Sequence, residues 1–148
     1  MNHQRGLTPV NLLLLLVLIV VAVAVAIPIY TGFINKARSI QAVSEITGLK
    51  YEILMYEIQT GHRPATLAEL GKGHVTDPWG RPYHYRNIAG KTEEPRRKDR
   101  LRTPLNSDYD LYSAGMDGES SLDLAATVSL DDVVRGHDGA YVGLASEY

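Results

Sequence analysis

Thirty consecutive positions, residues 6–35, carry no charged side chain. Within them, the eighteen residues 12–29 read LLLLLVLIVVAVAVAIPI and contain no strongly polar group. A run of this length is sufficient for a transmembrane helix, because each helical residue adds about 1.5 Å. Arg5 precedes the run and a long, largely polar region follows it. The positive-inside rule therefore predicts a short cytoplasmic amino end and a translocated remainder.

A cleaved signal peptide is the alternative explanation of the apolar run. Such peptides have an apolar core of about 7–15 residues, and residues 22–26 (AVAVA) offer a small-residue cleavage site. However, apolar residues recur beyond the run at spacings of three or four, which is typical of an amphipathic helix. These residues are Ala37, Ile40, Val43, Ile46, Leu49, Ile53 and Tyr56. The pattern predicts one helix of some fifty residues that continues to about residue 61.

Composition excludes several classes of chemistry. The 148 residues include no cysteine, so the chain has no disulfides, thiolate zinc site, iron–sulfur cluster or cysteine nucleophile. Five histidines are present, but none has the spacing of a zinc-binding helix. No nucleophile elbow or phosphate-binding glycine loop occurs either. We therefore expect a protein that is not an enzyme.

Charge is distributed unevenly after the helix. Residues 91–102 contain six basic and three acidic side chains, whereas residues 106–148 contain one basic and nine acidic ones. The basic group comprises Arg96, Arg97, Lys98, Arg100 and Arg102. Contact with DNA is one interpretation, in which nearby tyrosines would stack on bases. We favour a solvated loop, or an ion-pair donor to residues 106–148 of another subunit, and expect no nucleic acid.

After the long helix, we expect a small antiparallel sheet with its loops in residues 75–148. Residues 66–69 (TLAE) have the form of a capping box and predict one helical turn. DPWG at 77–80 predicts a tight turn, with Tyr83 and Tyr85 alternating around His84 as in a short strand. Residues 109–113 form a second strand candidate, and residues 138–144 a last strand or a loop. The predicted fold is α+β, with three or four strands packed on the carboxyl half of the long helix and a long loop at 89–107.

The amino end resembles a known processing signal. Arg5, Gly6, Leu7 and Thr8, followed by an apolar run that contains Pro28, resemble the class III signal of type IV pilins and type II secretion pseudopilins. The resemblance implies that a prepilin peptidase removes residues 1–6 by cutting after Gly6. Leu7 would become the mature amino terminus, usually N-methylated. Residues 7–35 would form the membrane and filament-core helix, and residues 36–148 a periplasmic domain.

The soluble part resembles one member of that superfamily. DPWGRPYHY, followed by YDLYSAGMDG, is similar to the soluble domain of the major pseudopilin of type II secretion systems. This implies a single-pass protein of the inner membrane that polymerises with itself into a periplasmic filament and helps to drive protein export. The implied partners are copies of the chain, minor pseudopilins, the prepilin peptidase and the inner-membrane assembly platform.

Asn11 departs from the family pattern. The family normally has glutamate at the fifth mature position, where its charge is thought to neutralise the amino terminus of a neighbouring subunit. Asn11 accepts a hydrogen bond but cannot cancel a charge, so a minor pseudopilin is one alternative. A pilin for adhesion or DNA uptake and a membrane-anchored periplasmic enzyme are the others. We name Asn11 and Pro28 as the residues expected to influence assembly.

The resemblance also implies a calcium ion in the last loops. Calcium takes six to eight hard oxygen ligands. Matching the family pattern assigns them to the carbonyl group of Ala114 and the carboxylates of Asp117, Asp131 and Asp132, with Asp123 and Asp138 as substitutes. The downstream pair is aligned across an insertion of about seven residues, 122–128. The alternative is that these aspartates cap turns, which is common beside glycine.

Overall fold

The computed structural model describes residues 8–91 and 95–148. Gly6 and Leu7, the predicted processing residues, lie outside these ranges. The chain divides into two compact units, of which the first ends at Lys36 and the second comprises Ala37–Tyr148.

Helix α1, Pro9–Thr60, begins at a capped turn. The backbone N–H of Asn11 donates to Thr8 Oγ1 over 3.4 Å, and the N–H of Leu12 donates to the Thr8 carbonyl over 3.1 Å. Thr8 is therefore the N-cap and Pro9 the first helical residue, where a missing N–H and a fixed φ are favourable. In the first unit, the helix is long and apolar enough to cross a membrane by length and composition, a test that signal sequences near the amino terminus also pass.

In the second unit, one stripe of the helix forms the core. Ala42, Ile46, Leu49 and Ile53 are buried at spacings of four, three and four residues, which places them on one face. The helix ends where the sequence predicts, and the N–H of Gly61 donates to the Glu57 carbonyl over 2.9 Å. Ile40 is 64% exposed, so it does not belong to the buried stripe.

The sheet has four antiparallel strands in the order of the chain. They are β1 (His84–Asn87), β2 (Tyr109–Ser113), β3 (Val133–Gly136) and β4 (Tyr141–Leu144). Register places Tyr85 opposite Leu111, Tyr112 opposite Val134, and Arg135 opposite Val142. The α+β prediction is confirmed with four strands. Strand β3 was not predicted, because all four of its residues are buried and show no polar alternation.

Both faces of the sheet are covered. On one face, Tyr83, Tyr109, Leu111 and Val133 pack with the buried helix stripe. On the other, Leu105, Leu124, Val134 and Ala145 form a second cluster that brings the loops onto the sheet. Short 3-10 helices occur at Leu67–Leu70, Thr127–Ser129, His137–Gly139 and Ala145–Glu147.

The helical turn predicted from TLAE is present, but its hydrogen bond differs from a capping box. Thr66 is extended and makes no side-chain cap. Glu69 Oε2 instead accepts the backbone N–H of Ala65 over 3.0 Å.

Candidate functional site

The first unit presents a continuous apolar surface. Residues 8–33 are all exposed, and the large apolar side chains from Val10 to Phe33 have exposed fractions between 49% and 71%. Asn11 lies in the first helical turn. Pro28 lies inside the helix, where its carbonyl accepts the hydroxyl of Thr31 over 3.1 Å. The assembly roles of both residues stay predictions.

The DPWG turn is built around one buried carboxylate. Asp77 is 4% exposed, and its Oδ1 accepts the backbone N–H groups of Trp79 over 3.0 Å and Arg81 over 2.9 Å. Its Oδ2 accepts the hydroxyl of Ser113 at the end of strand β2. The Arg81 guanidinium donates to the carbonyl of Gly115 over 2.7 Å. The two sequence motifs behind the resemblance are therefore in direct contact.

Three of the four expected calcium ligands lie around the loop after β2. The carbonyl of Ala114 accepts the N–H of Gly118 over 3.1 Å. Asp131 Oδ2 accepts the N–H groups of Met116 over 2.7 Å and Asp117 over 3.0 Å. The Asp131 carboxylate thus holds the loop by its backbone.

The aspartates of this region act as turn caps. Asp117 Oδ1 accepts the N–H of Glu119 over 2.8 Å, and Asp123 Oδ1 accepts the N–H of Ala125 over 2.9 Å. Asp138 follows β3 at the end opposite Asp131 and binds the N–H of Ser107 over 2.7 Å. This N–H is the main reason that the pKa of Asp138 lies below its usual value.

The fourth expected ligand has a different partner. Asp132 is fully buried, and its Oδ2 lies 2.5 Å from a terminal nitrogen of the Arg97 guanidinium. The hydroxyl of Ser120 donates to the same oxygen over 2.6 Å. Burial raises the pKa of Asp132, while the hydrogen bond from Ser120 and the charge of Arg97 oppose that rise.

Arg97 is a buried residue, so its interpretation as part of a solvated basic surface is wrong. It is 2% exposed, and its guanidinium carbon lies 3.9 Å from the centre of the Tyr112 ring. No local signal distinguishes Arg97 from Arg96 and Lys98, because its partner lies far along the chain. Arg100 donates to the Ser146 carbonyl over 2.9 Å, a contact to the acidic segment within one chain.

In this arrangement, one carboxylate oxygen of each predicted aspartate ligand already accepts a hydrogen bond. Asp132 faces a guanidinium, whereas Asp117 and Asp131 bind backbone N–H groups. Across residues 8–91 and 95–148, no three His, Asp or Glu side chains are grouped so that they could hold a metal ion. Calcium binding by these residues stays a prediction.

A groove of about 310 Å³ beside the helix contains charged residues that neutralise one another. Arg63 pairs with Glu57 at 3.0 Å, and Arg135 pairs with Asp108 at 2.7 Å. Lys50 donates to the carbonyl of Gly139 over 3.1 Å. The charged side chains that line the groove therefore bind one another or the backbone, and they stabilise the structure around the core.

Comparisons with protein-family models, with curated proteins and with solved structures found no match to this chain. The likeness to pseudopilins accordingly depends on the sequence of residues 5–8, the apolar run 12–29 with Pro28, and residues 77–85 and 109–118.

Proposed function

We propose that the chain is a pseudopilin, a structural subunit that assembles through its amino-terminal helix into a periplasmic filament of a type II secretion system. The observation that carries the proposal is the exposed apolar surface of residues 8–33. Each large apolar side chain gains about 1.5–3 kcal/mol when it leaves water. So large a surface needs a lipid bilayer or other copies of the same helix around it.

Helix α1 supports the interpretation that the apolar segment is retained in the mature protein rather than cleaved off. The apolar residues belong to helix α1, whose later turns hold Ala42, Ile46, Leu49 and Ile53 in the core. Cleavage at residues 22–26 would cut this helix inside its regular hydrogen bonding. Retention of the apolar segment, as membrane anchor and filament core, leaves the helix intact and is therefore a simpler explanation than cleavage.

The proposed assembly cycle uses both surroundings that the apolar surface requires, first the lipid bilayer and then other copies of the same helix. The prepilin peptidase removes residues 1–6, the subunit waits in the inner membrane with residues 36–148 in the periplasm, and an assembly platform extracts it. Minor pseudopilins and further copies are the other partners. We propose no enzymatic activity. Because residue 11 is asparagine, a minor position in the filament stays an alternative to that of the major subunit.

Mass spectrometry of the chain from cells that contain a prepilin peptidase tests the proposal. A membrane-associated product that begins at Leu7 supports it, and Gly6→Val should abolish that product. Gly32→Val is the matched control, because nothing lies within 4 Å of a Cβ atom placed there. A water-soluble product that begins after Ala26 would show a signal peptide, and a retained Met1 would favour a membrane-anchored enzyme.

Disulfide cross-linking tests self-assembly separately. Because the chain has no cysteine, a single introduced thiol is a clean probe. Leu16→Cys, in the apolar surface, should give dimers in the membrane under oxidation. His74→Cys, exposed in the second unit, is the control for collision between unrelated surfaces. Equal dimer yields for both variants would contradict assembly through residues 7–35.

A further inference from the structure

A positive charge lies inside the second unit, between segments that are distant in sequence. Arg97 belongs to the connection between β1 and β2, Ser120 to the connection between β2 and β3, and Asp132 directly precedes β3. The Arg97 guanidinium donates to Asp132 Oδ2 over 2.5 Å and to Ser120 Oγ over 2.8 Å. One side chain therefore joins three segments.

The surroundings of this guanidinium are closed. Arg97 and Asp132 are 2% and 0% exposed, and the face of Tyr112 lies 3.9 Å from the guanidinium carbon. An ionised carboxylate in such an interior is stable only beside an opposite charge. Arg97 supplies that charge to Asp132.

Binding of a divalent cation beside Arg97 and Asp132 would be unfavourable. Asp132 Oδ1 is buried without a hydrogen-bond partner, but a cation bound there would lie close to the guanidinium on Oδ2. Two positive charges repel each other strongly where water is scarce. At Asp131, a cation would have to compete for Oδ2 with the two backbone N–H groups that this oxygen accepts.

We infer that the Arg97 guanidinium takes the place of a bound metal ion in this chain, because it neutralises Asp132 and joins three segments. The second unit therefore folds and remains folded without calcium. The inference depends on the Arg97–Asp132–Ser120 contacts and is independent of filament assembly.

Thermal unfolding of the full chain in detergent provides the first test. The chelator-treated protein and the same protein in excess calcium should have Tm values that agree to about 1 °C. A calcium site at a hundredfold excess over its Kd would raise the Tm by roughly 10 °C. Saturable calcium binding by calorimetry, accompanied by a Tm that falls on chelation and recovers on readdition, would overturn the inference.

Substitution of the arginine provides the second test. Arg97→Gln leaves Asp132 buried without a counter-charge, so the Tm at neutral pH should fall by on the order of 10 °C. Arg97→Gln combined with Asp132→Asn should recover part of that loss. Arg96→Gln is the matched control, because Arg96 is the neighbouring arginine and donates to the carbonyl of Lys91, over 2.8 Å, in an exposed contact.

The double variant separates the charge from simple packing. If Arg97 acted by packing alone, removal of the carboxylate charge by Asp132→Asn would recover none of the Tm lost in Arg97→Gln. Equal losses for Arg96→Gln and Arg97→Gln would refute the inference. If Arg97→Gln does not fold, the chelation experiment on the wild type still tests the inference.

Discussion

The hydroxyl of Ser113, at the end of strand β2, donates a hydrogen bond to the carboxylate of Asp77, which organises the DPWG turn. The side chains are 0% and 4% exposed, respectively. Since the same carboxylate also caps the turn, Asp77 connects its own motif to that of Ser113, a residue 36 positions further along the chain. The two motifs are therefore parts of one hydrogen-bonded structure.

Asp77→Ala should destabilise the second unit by about 3 kcal/mol, because it removes two turn caps and leaves the buried hydroxyl of Ser113 without the acceptor of its proton. Urea unfolding in detergent, followed by aromatic circular dichroism, measures the change. Asp99→Ala is the control: Asp99 Oδ1 also accepts two backbone N–H groups, those of Leu101 and Thr103, but in a more exposed loop. Its cost should be about 1 kcal/mol, and equal costs would contradict the prediction.

Gly115→Ala should be strongly destabilising. Gly115 has φ +62°, and a Cβ atom there would overlap the backbone carbonyl of Asp131 and lie 2.7 Å from Asp131 Oδ2. Gly90→Ala is the matched control, because Gly90 has φ +71° with nothing within 4 Å of the added atom. Left-handed strain alone costs about 1–2 kcal/mol. We expect Gly115→Ala to lose clearly more in the same urea measurement, and similar losses would show that the Asp131 contact is soft.

Stability should decline at high pH through the buried tyrosines. Burial raises the pKa of Tyr109 from 10.0 to about 12, with the nearby Arg135 opposing this rise. The folded state therefore holds the phenol proton more tightly than the unfolded state does. The associated stability is complete below the unfolded pKa of about 10 and is lost as the pH rises through the folded value.

Tyr109→Phe should flatten this alkaline decline in a series of Tm measurements between neutral and high pH. Tyr51→Phe is the control, because Tyr51 is 59% exposed. If Tyr109→Phe leaves the slope unchanged, other groups are responsible for it.

A charge in the apolar surface should reduce membrane association. Val20→Lys places an ammonium group near the centre of residues 12–29, at a cost of about 2.5–3.5 kcal/mol in a bilayer. The fraction of the chain retained in washed membranes should fall. Ser44→Lys, exposed in the second unit, should leave it unchanged. Equal retention of both variants would indicate that residues 12–29 do not enter the bilayer.

Local patterns were sufficient for the elements whose residues repeat at regular intervals. The helix and its end at Thr60, the strand Tyr109–Ser113 and the turn at Leu67–Leu70 follow from spacing and turn residues. The sequence of residues 138–144 is compatible with a strand or a loop, and the structure makes Tyr141–Leu144 a strand. Strand β3 escaped prediction because a strand buried on both faces has no alternation to detect.

The apolar segment and the helical stripe were determined by the sequence itself, because hydrophobicity and its period act between near neighbours. The partner of Arg97 was decided by the tertiary structure alone. Arg96, Arg97 and Lys98 carry the same charge in one short segment, and only the folded sheet brings Asp132 to one of them. Burial of that pair, rather than its chemistry, separates an internal counter-ion from a surface charge.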